Sequence, residues 1–243
     1  QLSIGNANYA IVGKPVFTFK VTDYLRDTVT GKVIVDAKSG MPTQAPSLRE
    51  YGNTLPTDIL GLNMNINFKG LTFGVTAEYR GGNQILADQL GTFLDDNGIS
   101  QRSASNGRRA FVFPNSVYDD GTGKYVANTS IYTKNYGRLF YNTDLNTGVQ
   151  SNYIADGSFW KLREVSLSYA LPSRIFKGNT IKGITLAITG RNLLTWLPKS
   201  NQWTDPEFSA NGNAEYNGNA TGRSTAYNLP PTRIFGGNIV VNF

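Results

Sequence analysis

From Leu62 to Phe68 apolar and polar residues alternate without a break: Leu62, Met64, Ile66 and Phe68 share one parity, and Asn63, Asn65 and Asn67 the other. Successive side chains of an extended strand point to opposite faces, so this segment reads as a strand with one apolar face and one amide face. Lys69-Gly70 makes a tight connection, after which Leu71, Phe73, Val75, Ala77 and Tyr79 alternate with Thr72, Gly74, Thr76, Glu78 and Arg80. The pattern predicts an antiparallel hairpin with arms near 57–68 and 71–80. Each arm comes close to the roughly 9–11 residues with which a tilted strand crosses a bilayer.

Three further strands are expected near 159–171, 182–193 and 232–243. In the first, Val165, Leu167, Tyr169 and Leu171 face away from Glu164, Ser166 and Ser168, but Trp160 and Leu162 stand on the other parity. A bulge or the membrane boundary near Arg163 would reconcile the two halves. Pro172 ends this strand, and Lys177-Gly178-Asn179 is the expected turn. Ile184, Leu186 and Ile188 then alternate with Thr185, Ala187 and Thr189. In the last strand Phe235, Gly237, Ile239, Val241 and Phe243 alternate with Gly236, Asn238, Val240 and Asn242.

Between these strands lie two long stretches, 81–157 and 194–231, rich in Asn, Asp, Gly and Ser, the first with a short helical candidate around Ile85 to Phe93. Structureless segments of this length are uncommon in compact soluble domains. Outer-membrane barrels, which alternate short turns with long extracellular loops, accommodate them. The first 50 residues are less regular: Ile11-Val12 and Val16 to Val21 are strand candidates, and Asp27 to Pro46 reads as loop. The fold class expected is therefore all-β, an antiparallel transmembrane β-barrel segment. The smallest natural barrels use about 8 strands, so a chain with five clear ones needs strands from the rest of the same protein. A soluble β-sandwich that binds carbohydrate is the rival architecture. The N-terminus, Gln1-Leu2-Ser3-Ile4-Gly5, lacks the charged and apolar regions of a signal peptide, as expected of a mature chain or a piece of one.

Composition narrows the chemistry. The chain of 243 residues has 13 Tyr, 13 Phe and 3 Trp but no Cys and no His. Thiol nucleophiles, imidazole acid–base catalysis and HExxH zinc sites are thereby excluded. The net charge of +6 is spread out, with Arg108–Arg109 the one adjacent basic pair, unlike the stripe of a nucleic-acid reader. Asp119-Asp120-Gly121-Thr122-Gly123-Lys124 echoes a phosphate loop, but Tyr118 stands where its first Gly belongs, so a polar turn is the plainer reading. Asp95-Asp96-Asn97-Gly98 and Asp119-Asp120 lack EF-hand spacing and read as solvated turns rather than calcium sites. Asp205 and Glu207 flank Pro206 in a loop and do not make a hydrolytic carboxylate pair. No enzyme, cofactor or metal is expected.

Several segments carry a family resemblance. Phe159-Trp160-Lys161-Leu162-Arg163-Glu164-Val165-Ser166-Leu167-Ser168-Tyr169 with Leu171-Pro172 resembles the SusC/RagA family of TonB-dependent transporters. So does Gly190-Arg191-Asn192-Leu193-Leu194-Thr195-Trp196, followed by Asp205-Pro206-Glu207. Gly52-Asn53-Thr54-Leu55-Pro56 is similar to the family's G-N-T-x-P, and Pro231-Thr232-Arg233 and the C-terminal Phe243 also fit. The resemblance implies that residues 1–243 are the C-terminal portion of a plugged barrel of about 22 strands, with the plug domain outside this chain. It implies integral residence in a Gram-negative outer membrane, loops facing the exterior, and import of oligosaccharides or peptides. The implied partners are the rest of the transporter, a SusD-like surface lipoprotein lid, TonB through the missing N-terminal part, the barrel-assembly machinery and the lipid bilayer, with no nucleic acid. A structural barrel subunit of an export or assembly complex is an alternative use of the same wall.

The residue expectations follow. Asn63, Asn65, Asn67, Glu78 and Arg80 are lumen-wall candidates. Trp196, Trp203, Tyr216 and Tyr227 are candidates for substrate or lid contact from an extracellular loop, against a plainer role in packing that loop. Trp160, Tyr169, Tyr79, Phe235 and Phe243 read as girdle aromatics at the bilayer interfaces. Phe235, Ile239, Val241 and Phe243 form the C-terminal assembly signal that the resemblance implies.

Overall fold

A computed structural model of the chain describes residues 1–5, 7–177, 180–208, 222–224 and 231–243, with only the backbone of Phe208. The strands in chain order are β1 (Leu2–Gly5), β2 (Asn8–Ala10), β3 (Thr18–Val21), β4 (Val33–Ile34), β5 (Arg49–Asn53), β6 (Asp58–Phe68) and β7 (Leu71–Gly81). They continue with β8 (Gln84–Leu86), β9 (Ser116–Asp119), β10 (Tyr125–Ala127), β11 (Ile154–Asp156), β12 (Phe159–Ala170), β13 (Gly183–Trp196) and β14 (Ile234–Asn242). Three short helices, α1 (Asp88–Asp96), α2 (Arg138–Tyr141) and α3 (Asp144–Thr147), lie between β8 and β11. Among the described residues no helix is long and apolar enough to cross a membrane. The strands are paired antiparallel apart from the short parallel β4–β9 contact.

The chain divides into two compact units. The strand unit, Pro56–Asn83, Gly157–Asn201 and Leu229–Phe243, holds one five-stranded sheet of order β14-β13-β12-β7-β6. Each arm of its first hairpin is 11 residues long. The arms meet at Lys69 (φ 47°) and Gly70 (φ 86°), two successive positive-φ residues whose twist matches that of the flanking strands. Gly70 also brings its backbone close to β12: a Cβ there would stand 2.8 Å from the Ala170 carbonyl oxygen.

The parity conflict in β12 is resolved by a bulge at Arg163. Leu162 pairs with Ala77 and Glu164 with the adjacent Thr76, so one β12 residue is left without a β7 partner. On the other side Leu162 faces Leu194 and Glu164 faces Arg191. β13 takes up the difference at Asn192, whose φ is 52°. The β12 bulge returns Leu162 and Trp160 to the face they would otherwise leave, while Gly190, Leu194 and Trp196 of β13 keep one parity throughout. Strand β13 consequently runs on to Trp196, three residues beyond the 193 expected from alternation.

The second unit, Gln1–Leu55, Gln84–Asp156 and Gln202–Asn228, corrects the expectation that 81–157 is one irregular loop. It has two small apolar clusters of its own. Phe19, Val21, Leu86 and Tyr153 are fully buried together with flanking Tyr51 and Trp203, and Tyr24, Val33, Val35 and Val149 gather Phe113 and Tyr118. The helical candidate at Ile85 to Phe93 is displaced: Ile85 and Leu86 belong to β8, paired with β11, and the helix begins at Asp88. Asp27 to Pro46 is a folded excursion rather than a plain loop, tied by bridges Arg26–Val33 and Val35–Pro42. Gly40 (φ 63°) lies so close to Tyr132 that a Cβ would stand 2.4 Å from its carbonyl oxygen.

Candidate functional site

Opposed residues of an antiparallel ladder share a face, so the register of the five-stranded sheet sorts its side chains into two surfaces. One surface is built from the cross-strand rows Leu60–Tyr79–Trp160–Trp196, Leu62–Ala77–Leu162–Leu194 and Met64–Val75–Val165–Gly190–Phe235. The rows Ile66–Phe73–Leu167–Ile188–Gly237 and Phe68–Leu71–Tyr169–Leu186–Ile239 complete it. No charged side chain occurs in these rows. From Leu60 to Phe68 they extend about 26 Å along the strand at ~3.3 Å per residue, which at the ~40° tilt of barrel strands covers about 20 Å of the roughly 25 Å apolar band on the outside of membrane barrels. The face is uncovered: Phe68 is 66% exposed, Ile188 62%, Ile239 69% and Phe235 75%. Aromatic rings stand at both ends, Tyr79 and Trp160 with centroids 5.1 Å apart at one, and Phe68 and Tyr169 at the other.

The opposite surface carries the lumen-wall candidates together. Asn65 Nδ2 donates to Asn63 Oδ1 at 2.9 Å, Asn63 Nδ2 donates to Thr76 Oγ1 at 3.3 Å, and Thr72 Oγ1 donates to Asn67 Oδ1 at 2.6 Å. Glu78 accepts from Arg80 and, at 2.8 Å, from Arg163 Nε. Arg163 is thus an addition that alternation could not supply, because the bulge places it beside Glu78. Glu164 and Arg191 form a further pair at 2.8 Å on the same surface. A neighbouring Gly74 leaves room for this network: a Cβ there would stand 2.6 Å from Ser166 Oγ. The arrangement is a wall of amides, hydroxyls and paired charges.

The aromatic candidates separate. Trp196 belongs to strand β13, opposite Trp160 on the apolar surface, and not to a loop. Trp203 packs within the second unit, 5.8 Å from the Tyr153 ring and 5.1 Å from the Arg102 guanidinium, in agreement with the packing role. Tyr216 and Tyr227 lie outside the described residues, as does the expected turn at Gly178-Asn179. Phe235 and Ile239 stand on the apolar surface, and Val241 faces Ile184. Phe243 follows the last strand residue and is exposed.

Three buried carboxylates hold the second unit together. Asp23 accepts from Arg26 Nε at 3.0 Å, Arg49 Nη1 at 3.2 Å and Ser151 Oγ at 2.8 Å. Burial opposes its charge, but the hydrogen bonds from Arg26, Tyr51, Ser151 and the Tyr24 amide outweigh burial and hold its pKa at about 2. Asp88 accepts from Arg223 Nη2 at 2.7 Å and Gln150 Nε2 at 3.1 Å. Asp95 is fully buried and accepts from Arg102, Asn146 Nδ2 (3.0 Å) and Tyr153 Oη (2.8 Å). Burial works against its charge too, yet the Arg102 guanidinium, Ser100 and Asn146 keep its pKa below the usual carboxylate range. Burial likewise raises the Tyr153 phenol well above its ordinary value. Asp95 is therefore part of a core and not the solvated turn expected of it, while Asp119 Oδ1 accepts from the amides of Gly121 and Gly123. Among the described residues no group of three metal-ligating side chains gathers.

No protein-family model matches the chain, and no curated protein matches it. Among solved structures it is similar in fold to the RagAB peptide transporter, with a TM-score of 0.58 at 15% identity over 100% of this chain and 24% of that one. It is also similar to the RagAB peptide importer in its closed-closed state, with a TM-score of 0.53 at 18% identity over 99% of this chain and 25% of that one. The open-open state gives a TM-score of 0.52 at 18% identity over 100% of this chain and 25% of the other. The chain spans about a quarter of the length of the structures it matches.

Proposed function

We propose that residues 1–243 are the C-terminal part of a plugged outer-membrane barrel of the SusC/RagA type, a transporter and not an enzyme, which imports oligosaccharides or peptides. The observation that carries this reading is the charge-free, uncovered apolar surface of the five-stranded sheet, rimmed by aromatic rings at both ends. A soluble sandwich would bury such a surface against a second sheet; in the strand unit all described strands belong to the one sheet. Five strands do not close a barrel, and every backbone group at membrane depth needs a partner. The open edges of β6 and β14 are where the remaining strands of the same protein, about 22 in all, would continue the ladder. The Asn63–Asn65–Asn67 wall with Glu78 and Arg80 then faces the lumen, and the second unit is the folded form of the extracellular loops.

The fold likeness to RagAB supports a SusD-like lipoprotein as the partner that covers these loops. TonB coupling and the plug belong to parts of the protein outside this chain, and Phe235, Ile239, Val241 and Phe243 are the segment that the assembly machinery would read. The test is gel mobility of the protein extracted from outer membranes, unheated and heated in detergent. The expected result is a large species whose mobility changes on heating. A folded 26.6 kDa species that stays soluble without detergent would overturn the reading.

A further inference from the structure

The second unit contains a recess of about 340 Å³ that neither the wall nor the buried ion pairs explain. Its lining is aromatic: Tyr24, Phe111, Phe113, Phe140 and Tyr141, beside Arg102 and the amides of Asn146 and Asn152. The rings brace one another edge to face, Tyr24 with Phe113 at 5.3 Å and Phe111 with Phe140 at 5.2 Å, so the walls are fixed in place without a ligand.

Most of the amide and guanidinium donors around it are already engaged. Asn152 Nδ2 donates to Tyr24 Oη at 2.8 Å and to the Asn146 carbonyl at 3.1 Å. Asn146 Nδ2 donates to Asp95 and to the Tyr141 carbonyl. Arg102 gives its Nε and Nη2 protons to Asp95 and an Nη1 proton to the Asn152 carbonyl. Ser105 Oγ donates to the Arg102 carbonyl and Asn106 Nδ2 to that of Ala110. A hydroxyl-rich ligand would find few donors beyond the Tyr24 and Tyr141 hydroxyls and would leave part of its own groups unpaired, which disfavours it against an apolar side chain. Charge excludes ions as well, because Arg102 is neutralised by Asp95 behind it.

One edge of the recess is strained. Asn106, Gly107 and Arg108 are three consecutive left-handed residues, with φ of 52°, 58° and 60°. Two of them carry a Cβ, and side-chain residues adopt this conformation routinely only where surrounding structure enforces it. Arg108 Nη2 enforces it here by donating to the Gly98 carbonyl at 2.9 Å. Backbone strain of this kind concentrates at binding sites, and it lies where the recess is lined by Ser105 and Asn106.

We infer that this recess is a binding subsite for one uncharged aromatic or branched apolar side chain presented on a peptide. It rests on the uptake reading only for what delivers the peptide. The experiment uses the detergent-purified protein and two acetylated heptapeptides of Gly and Ser, one with a central Phe and one with a central Ser, together with maltoheptaose. Burial of the ring predicts binding of the Phe peptide about tenfold tighter than its Ser counterpart. Ser105→Trp, which fills the recess, should abolish the difference, and Ser105→Ala, which does not, should keep it; resistance of the unit to trypsin reports that both variants fold. Equal binding of the two peptides, persistence of the preference in Ser105→Trp, or a preference for maltoheptaose that Ser105→Trp removes would each overturn the assignment. Selective peptide binding by a protein with no heat-modifiable mobility would leave the recess standing and sink the membrane reading instead.

Discussion

Trp160 stands directly opposite Trp196 in the β12–β13 ladder, and it reaches that row only because Arg163 is bulged out of register. Removing Arg163 would make Leu162 and Glu164 successive residues opposite Ala77 and Thr76, so plain alternation would keep Trp160 and Leu162 on the apolar surface without a bulge. Deleting Lys161 instead would place Trp160 next to Leu162 and turn it onto the amide surface, so the girdle at that end would lose a Trp. Deletion of Arg163 is expected to retain the heat-modifiable species with weaker folding from the lost Glu78 partner, whereas deletion of Lys161 should deplete it. Loss of the species on deletion of Arg163, or equal mobility shifts in the two variants, would show that the bulge does not set the face.

The two surfaces of the sheet should respond oppositely to charge. Leu167 and Ile188 pair in the middle of the apolar rows, and Ser166 and Thr189 occupy the next row on the other surface. Leu167→Arg is expected to cost about 2–4 kcal/mol of folding stability in lipid, the range for a midplane cation on a barrel exterior. Ser166→Arg should cost far less. Folding into vesicles, followed by the unheated band across a urea series, measures both; a larger loss at Ser166 would invert the assignment of lipid and lumen sides.

Alternation made the strand unit legible because its pairings are local and of period two. Even the bulge announced itself, as the parity mismatch between Leu162 and Val165. The second unit gave no such signal. Its strands span 2 to 5 residues, and it is closed by side-chain contacts such as Ser151 on Asp23, 128 positions apart, and Arg223 on Asp88, 135 apart. Asn, Asp and Ser in such segments look like solvated loop until their partners are known. The recess was hidden for the same reason. Phe111 and Phe113 alternate and Phe140-Tyr141 are adjacent, but nothing local says that the two pairs meet. Trp196 was misread as loop although it keeps the parity of Gly190 and Leu194, because the strand was expected to end at 193.

Asp23 makes the second unit sensitive to acid. Its folded pKa of about 2 lies below the unfolded value near 3.9. The stabilisation is therefore fully present above about pH 4 and is lost as pH falls through 2, amounting to about 2 kcal/mol by linkage. In a Trp160→Phe, Trp196→Phe background, Trp203 is the sole tryptophan and reports on this unit. Its fluorescence should show an acid transition that Asp23→Asn removes, at a lower stability at neutral pH. An unchanged transition in Asp23→Asn would place the acid sensitivity elsewhere.

Arg102 ties this unit together through shape as much as charge. Its guanidinium lies 4.6 Å from the Tyr153 ring centroid, 5.1 Å from Trp203 and 5.6 Å from Tyr141, while its fork engages Asp95. A lysine keeps the charge but can neither stack as a plane nor grip a carboxylate with two parallel donors. Arg102→Lys leaves the buried Asp95 with a poorer partner, and breaking buried charge pairs costs about 3–5 kcal/mol when the partner is removed outright. About half of that is expected here, seen as faster tryptic cleavage of the second unit with the heat-modifiable mobility of the barrel unchanged. Arg102→Met, which retains the packing volume but strands the carboxylate, should be worse than Arg102→Lys. The reverse order would mean that ring packing, and not the Asp95 pair, carries the contribution of this residue.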